Sequence, residues 1–409
     1  MLRSMYSGIS GMKNFQTKLD VIGNNIANVN TYGYKKGRVT FQDLMNQTVS
    51  GASRATDNRG GQNAKQIGLG SSLSSIDTIQ TQGSLQTTGR SLDVAISGDG
   101  YFVVRQGNNE MFTRAGNFYL DSNGNLVTGQ GDLVQGYPVN ANGEVNQSGT
   151  ADIKIDTNTT MAPQATSKAT YNGNLKSSAP DGTVVELETK VKDSLGKDIS
   201  LNMVLTKSAS NPNNWTVSIS SPTTGVTLTS GQSTTLSFDT EGKLTSQVPF
   251  PITLDNQTGA NQTQIIDLDF SKITQFDSSS SANVDTVNGN SEGYLESFNI
   301  GSSGEVNGVF SNGEVRVLSQ LALATFSNPG GLTKAGNNLF QASNNSGIPN
   351  QGIAGEGRGA LQSGSLEMSN VDLSEEFTEM ITAQRGFQAN TRIITTSDEI
   401  LQELVNLKR

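Results

Sequence analysis

MLRSMYSGISGMKNFQTKLDVIGNNIANVN, residues 1–30, opens the chain, and in it Leu2, Met5, Ile9, Met12, Phe15, Leu19, Ile22, Ile26 and Val29 recur at alternating steps of three and four, with one three-three step at Phe15. That spacing places all nine on one side of a helix and predicts one from about Arg3 to about Val29. Gly8, Gly11 and Gly23 lie inside it. Each either weakens the helix by up to about 1 kcal/mol relative to Ala or lets a second helix come close. At the other end Leu373, Met380, Phe387, Ile394 and Leu401 stand seven residues apart, with Phe377 and Val405 in a companion register whose other members are Gln384, Thr391 and Asp398. A seven-residue repeat is the seam of a coiled coil. Asn370 or Asp372 can cap this second helix, Glu375 and Glu376 sit in its first turn, and Lys408 and Arg409 close its last. The N-terminal stripe alone is too small to offset the cost of ordering its backbone. Both ends are therefore expected to be largely disordered in an isolated monomer and to fold when subunits associate.

Between the ends the chain reads as β structure. Of 409 residues only 33% are hydrophobic and 16% charged, and with 45 Gly against 9 Pro the balance is made up by Ser, Thr, Asn and Gln. That mixture suits turn-rich β domains, and the length suits two to four of them. Polar, Gly-rich sequence at 31–90 and 345–369 reads as an extended connector. Short strands alternate with Gly/Asn/Asp turns over 91–148 and resume over 282–344, giving a first, discontinuous β domain. A Ser/Thr-richer region at 149–281 reads as an outer, barrel-like β domain inserted into the first. The expected fold class is multidomain and mainly β, with helices at 1–30 and 370–409 pairing as a coiled-coil polymerisation domain around two nested β domains.

Several function classes are excluded by composition. Zero Cys and zero His remove disulfides, thiolate nucleophiles, Cys/His zinc sites and a histidine general base. With 28 Lys and Arg against 37 Asp and Glu, the formal net charge is −9, which disfavours nucleic acid or an anionic membrane as a partner. No stretch reaches the ~20 apolar residues of a membrane span, and the start lacks a cleavable signal peptide. Asp121-Ser122-Asn123-Gly124-Asn125 has its Gly too early for a calcium loop and reads as an Asx turn. Glu186 and Glu188 share a strand face without a general-acid partner, and Trp215 reads as core. The chain is expected to be no enzyme and to use no cofactor or metal.

As residues rather than as a pattern, the ends resemble a known set. Gly8-Ile9-Ser10-Gly11-Met12 and the run Asn24-Asn25-Ile26-Ala27-Asn28 followed by Asn30-Thr31-Tyr32-Gly33-Tyr34-Lys35 are similar to the N-terminal motif of the bacterial flagellar rod and hook protein family. Ser369-Asn370-Val371-Asp372-Leu373-Ser374, Ala383-Gln384-Arg385-Gly386-Phe387-Gln388-Ala389-Asn390 and Leu404-Val405-Asn406-Leu407 resemble its C-terminal motif. Leu92-Asp93-Val94-Ala95-Ile96, Thr113-Arg114-Ala115-Gly116-Asn117-Phe118 and Gly336-Asn337-Asn338-Leu339-Phe340 resemble its first β domain. Because rod members lack a large second β domain, the resemblance is to the hook branch, with a distal rod or other axial protein as the alternative and a secreted β-rich adhesin as the alternative from another class.

The resemblance implies a helical homopolymer forming a short hollow tube, a universal joint for torque. It further implies export by the flagellar type III apparatus without a cleaved signal peptide, an extracellular place in the flagellum, and the distal rod protein, hook cap and hook–filament junction protein as partners.

Overall fold

A computed structural model describes residues 2–54, 59–140, 143–156, 158–246, 248–257 and 259–406. The chain divides into two compact units: Met1–Asp156 with Asn299–Asn307 and Val317–Arg409, and Thr157–Phe298 with Gly308–Arg316. It is mainly β, with one long helix near each end.

The first unit begins with helix α1, Leu2–Ala27. It stops two residues short of the sequence expectation: Asn28 still donates its backbone N–H to the Asn24 carbonyl at 3.2 Å, but Val29 donates to the Ile26 carbonyl at 3.3 Å, tightening the chain into a turn. The segment expected to be an extended connector is instead paired. Strand β1, Gly37–Asp43, runs antiparallel to β4, Ser71–Thr78, and β2, Asn46–Ser50, runs antiparallel to β3, Lys65–Gly68. The C-terminal stretch of that connector also folds back: Ala360–Ser363 pairs with Val94–Ser97, and Ser365–Glu367 pairs with Leu85–Thr87. Buried Leu361 and Leu366 hold these short strands down, an apolar signal too sparse to register in a run of Gly and Ser.

A larger sheet orders Val315–Leu321, Leu133–Pro138, Tyr101–Gln106, Asn109–Thr113, Leu339–Gln341 and Thr333–Gly336 as neighbours. Its core is aromatic: Phe326 meets Tyr101 and Phe112 edge-on, at ring-centre distances of 5.8 and 4.8 Å, the favoured geometry for ring quadrupoles. Asp121 accepts the backbone N–H of Asn123 and Asn125 and the Asn125 amide. It forms the expected Asx turn, and these hydrogen bonds hold its carboxyl below the usual range. Helix α2, Leu373–Asn406, closes the unit. Asp372 caps it by accepting the N–H groups of Ser374 and Glu375 at 2.8 and 3.3 Å, whereas Asn370 bonds elsewhere. Lys408 and Arg409, expected to close the last turn, lie outside the described residues.

The second unit is built from a five-stranded and a four-stranded sheet. In Val184–Lys192, Asp198–Lys207 and Asn214–Ser220 buried and exposed residues alternate, the period-two signature of strands with one covered face. Glu186 and Glu188 fall on the uncovered face. Trp215 is fully buried beside Val217, Leu205 and Phe270 in one core, where Tyr171 stacks on Phe270 at 4.8 Å. Burial pushes the Tyr171 hydroxyl up to about 12. Trp215→Ala is expected to cost about 3–5 kcal/mol, read from the denaturant midpoint of this unit's β circular-dichroism transition.

Candidate assembly site

Helix α1 meets α2 antiparallel, and the meeting line is made of small and polar residues. Gly8 faces Ile394 and the Asn390 carbonyl, Gly11 faces the Asn390 amide, and Gly386 faces the Phe15 ring. An added Cβ would stand 2.8 Å from the Asn390 Nδ2 at Gly11 and 2.5 Å from the Phe15 ring at Gly386. These three glycines therefore set how near the helices come. Gly23 has open space around it and only weakens the helix. Ile22, Ala383 and Ser397 are buried along the same line. Lys18 pairs with Glu379 at 3.0 Å.

The apolar stripes lie beside this line rather than on it. In α1, Phe15 and Ile22 reach the seam. Met5, Met12, Leu19 and Ile26 are half-buried, and Ile9 is exposed. In α2, Met380, Ile394 and Leu401 are half-buried, while Leu373, Phe377, Phe387 and Val405 are exposed, Phe377 at 50%. The companion register of the α2 seam is Glu376, Ala383, Asn390 and Ser397, not that of Phe377. Thr391 donates to the Met12 sulfur at 3.3 Å, so the flank carrying Met12 and the flank carrying Phe387 and Leu373 lie on the same side of the pair. Two stripes thus form one apolar face. The Leu2 side chain lies outside the described residues; Val29 is half-buried in the turn after α1.

The Asn-Asn-Ile-Ala-Asn run ties this pair to the β part of the unit. Buried Asn25 donates to the Gly37 carbonyl at 2.9 Å and to Glu376 Oε2 at 3.1 Å, and its Oδ1 accepts the Gly37 N–H at 2.9 Å and the Tyr34 hydroxyl at 3.2 Å. All four capacities of the amide are used, joining α1, α2 and β1 at one side chain. Burial pushes the Glu376 carboxyl above the usual range, against the opposing pull of the Asn25 hydrogen bond and Lys36. Burial, and secondarily Glu376, raises the Tyr34 hydroxyl. Neighbouring Asn24 is exposed and accepts the Asn28 amide at 2.7 Å, and Ala27 is exposed.

Gly33 has φ +69°, and an added Cβ would stand 2.6 Å from the Ala115 nitrogen, so only glycine fits that turn. Two residues on, Lys35 is fully enclosed. Its Nζ donates to Glu367 Oε1 at 2.6 Å and to the Thr81 carbonyl at 2.8 Å, with neither side chain exposed. Arg114 approaches the other Glu367 oxygen at 3.4 Å, and Gly83 donates its N–H to Glu367 at 2.9 Å. Burial lowers the Lys35 ammonium, with Glu367 opposing. Asn370 accepts the Lys36 N–H at 2.8 Å and donates to the Ile79 carbonyl at 2.8 Å.

Sequence reasoning missed Glu367, Asn390 and Glu376 as site residues. Glu367 carries no local signal, being one acid in a polar run. The fixed heptad could have exposed Glu376 and Asn390 had the register been read as small and polar rather than apolar.

Two outcomes test this geometry. Gly386→Val should destabilise the helix pair by about 1–3 kcal/mol through overpacking, read from the helical circular-dichroism transition, with Phe15→Ala in the same chain restoring part of the loss. Lys35→Met should cost about 3–5 kcal/mol because it strands a buried carboxylate, and Lys35→Met with Glu367→Gln should recover much of it in thermal melts.

Family models match successive parts of the chain: flagellar basal body rod protein at residues 5–35, flagellar hook protein FlgE/F/G D1 domain at 95–165, flagellar basal body protein FlaE D2 domain at 164–290, and flagellar basal body rod FlgEFG protein C-terminal at 362–407. The flagellar hook protein FlgE of Borreliella burgdorferi is 42% identical over 451 aligned positions, covering 100% of each chain. That of Treponema pallidum is 40% identical with the same coverage, as is the flagellar basal-body rod protein FlgG of Bacillus subtilis. Among solved structures, the Helicobacter pylori flagellar hook protein FlgE2 shares the fold, with a TM-score of 0.52 at 16% identity over 69% of this chain and 100% of its own. With relatives this similar along its whole length, the chain belongs to the flagellar hook protein family.

Proposed function

We propose that copies of this chain polymerise into the flagellar hook, a flexible hollow tube that works as a universal joint carrying torque from rod to filament. The observation that carries the reading is the apolar face made jointly by Met5, Ile9 and Met12 of α1 and by Leu373, Phe377 and Phe387 of α2. The seam that holds the pair together leaves Ile9, Leu373, Phe377 and Phe387 exposed and Met5 and Met12 half-buried, and a face so placed stabilises contact with a further copy. An open-ended tube needs one surface to meet a different surface on the next subunit. Its role is structural rather than catalytic, and it takes no cofactor. By family resemblance the neighbours are the distal rod protein, the hook cap and the hook–filament junction protein. The subunit leaves by the flagellar type III export apparatus and resides outside the cell in the flagellum, without inserting in a membrane or binding nucleic acid.

The 40% identity to a protein named as basal-body rod favours a second reading, a distal rod subunit. The two readings separate on curvature and bending of the assembled tube.

Ile394 packs on Gly8 inside the chain, so a substitution there breaks the helix pair itself. Phe387 tests assembly more cleanly. Phe387→Asp removes an apolar contribution of about 1.5–3 kcal/mol. It should raise the protein concentration needed for tubes at least about tenfold while leaving far-UV circular dichroism unchanged. Normal tubes at the unsubstituted concentration, seen by electron microscopy, would remove the apolar face from the assembly contact.

A further inference from the structure

Four segments of the first unit, around residues 28–31, 113–117, 128–130 and 337–339, line a cleft of about 340 Å³. That volume falls in the range of about 300–1,000 Å³ usual for small-ligand sites. Among the described residues no charged side chain lines it, and Leu339 is the one large apolar residue there.

The walls are fixed by bonds within the chain. Thr113 donates to the Asn338 carbonyl at 2.9 Å and accepts the Ala115 N–H at 3.1 Å. Asn338 donates to the Tyr32 carbonyl at 3.1 Å, and Thr31 donates to Asn28 Oδ1 at 3.1 Å. Thr128 both donates to the Asp132 carboxylate and accepts the Asp132 N–H, each at 3.2 Å. Asn117, Gln130 and Asn337 differ. They line the same space from three of the four segments, and none of their carboxamides has a hydrogen-bond partner among the described residues. Single exposed amides are ordinarily spent on water. Three of them converging on one cleft with rigid walls form a preorganised polar site, in which a ligand has little left to order.

The donor set selects the ligand. An ion finds no counter-charge on this lining, and an apolar molecule finds almost no apolar cover. Each carboxamide both donates and accepts, as a hydroxyl does, so the match is a neutral molecule dense in hydroxyl groups. An aromatic ring stands beside the amides. An added Cβ at Gly129 would lie 3.8 Å from the Asn117 Nδ2 and 3.7 Å from the Tyr119 ring. That ring is 44% exposed, with the Arg90 guanidinium 4.4 Å from its centre. Tyr offers an apolar body with a polar tip, suited to the C–H face of a pyranose whose hydroxyls reach the amides. We propose that this cleft binds a neutral saccharide, with Asn117, Gln130 and Asn337 bonding its hydroxyls and Tyr119 packing on its ring at the rim. The site belongs to the subunit's own surface and stands apart from the polymerising reading.

Saturation-transfer difference NMR on the full chain, with maltotriose and with tri-N-acetylchitotriose at millimolar concentration, tests it. The expected result is saturable transfer to at least one of the two sugars. Gly129→Leu should abolish that transfer with far-UV circular dichroism unchanged, since its Cβ meets nothing closer than 3.7 Å and its side chain fills the space between Asn117 and Tyr119. Asn337 has φ +50°, a conformation that glycine keeps without strain, so Asn337→Gly removes one amide alone and should weaken binding about threefold to tenfold. No saturable transfer to either sugar, or transfer that either substitution leaves unchanged, overturns the site and leaves the hook reading standing.

Discussion

The close approach of α1 and α2 at Gly8, Gly11 and Gly386 is the constraint from which the rest of the first unit follows. A side chain at Gly386 would enter the Phe15 ring, so the helices can pair at this distance only because the seam lacks bulk. Small residues opposite Phe15 and Ile394 leave room for those two side chains, and most of the other large apolar residues of both helices find no place between them. They are displaced to a flank, and because the pairing fixes the rotation of each helix, both sets arrive on the same flank. That apolar flank is a by-product of the packing.

The pair must also be held at a defined angle to the β part of the unit, and polar groups do this. Asn25 spends every hydrogen-bonding capacity on three different elements, and Lys35, Glu367 and Arg114 share one enclosed charge cluster. Such a cluster contributes little net stability compared with an apolar core, since desolvation offsets most of the attraction. Its geometry is nonetheless directional: no sliding or rotation keeps all of its bonds. Such directionality fixes the angle of the pair more effectively than additional apolar contact would.

Much of this was legible beforehand. Helix-period spacing located both helices, the Gly/Asn turns located the β regions, and Trp215 read correctly as core. What the sequence leaves open has one cause. Periodicity reports which residues are apolar, not which of two adjacent faces a given partner takes: within the chain Ala383, Asn390 and Ser397 line the contact with α1, and Phe377, Phe387 and Val405 stand beside it. The glycines carried the missing information, and their spacing left close approach and simple weakness equally open. In the connector, sparse apolar residues in a Gly/Ser background gave too little period-two signal to show β1 to β4, and the partner of Lys35 lies 332 positions away, beyond any local pattern.

The same seam bears on how the ends behave before assembly. Its buried apolar contribution is small, Ile22 and Ala383 being the fully covered apolar side chains among its described members, while the helices are long and the cost of ordering them scales with length. Interlocking surfaces confer a unique geometry but little hydrophobic free energy, so on the polymerising reading the helix pair draws much of its stability from the flank covered by the next copy. Folding of the ends and growth of the tube are then linked: whatever covers the flank adds to the stability of the helix pair. That coupling lets a chain with an uncovered apolar face exist free without self-associating indiscriminately, because the face is fully presented only where a partner is already in position to cover it.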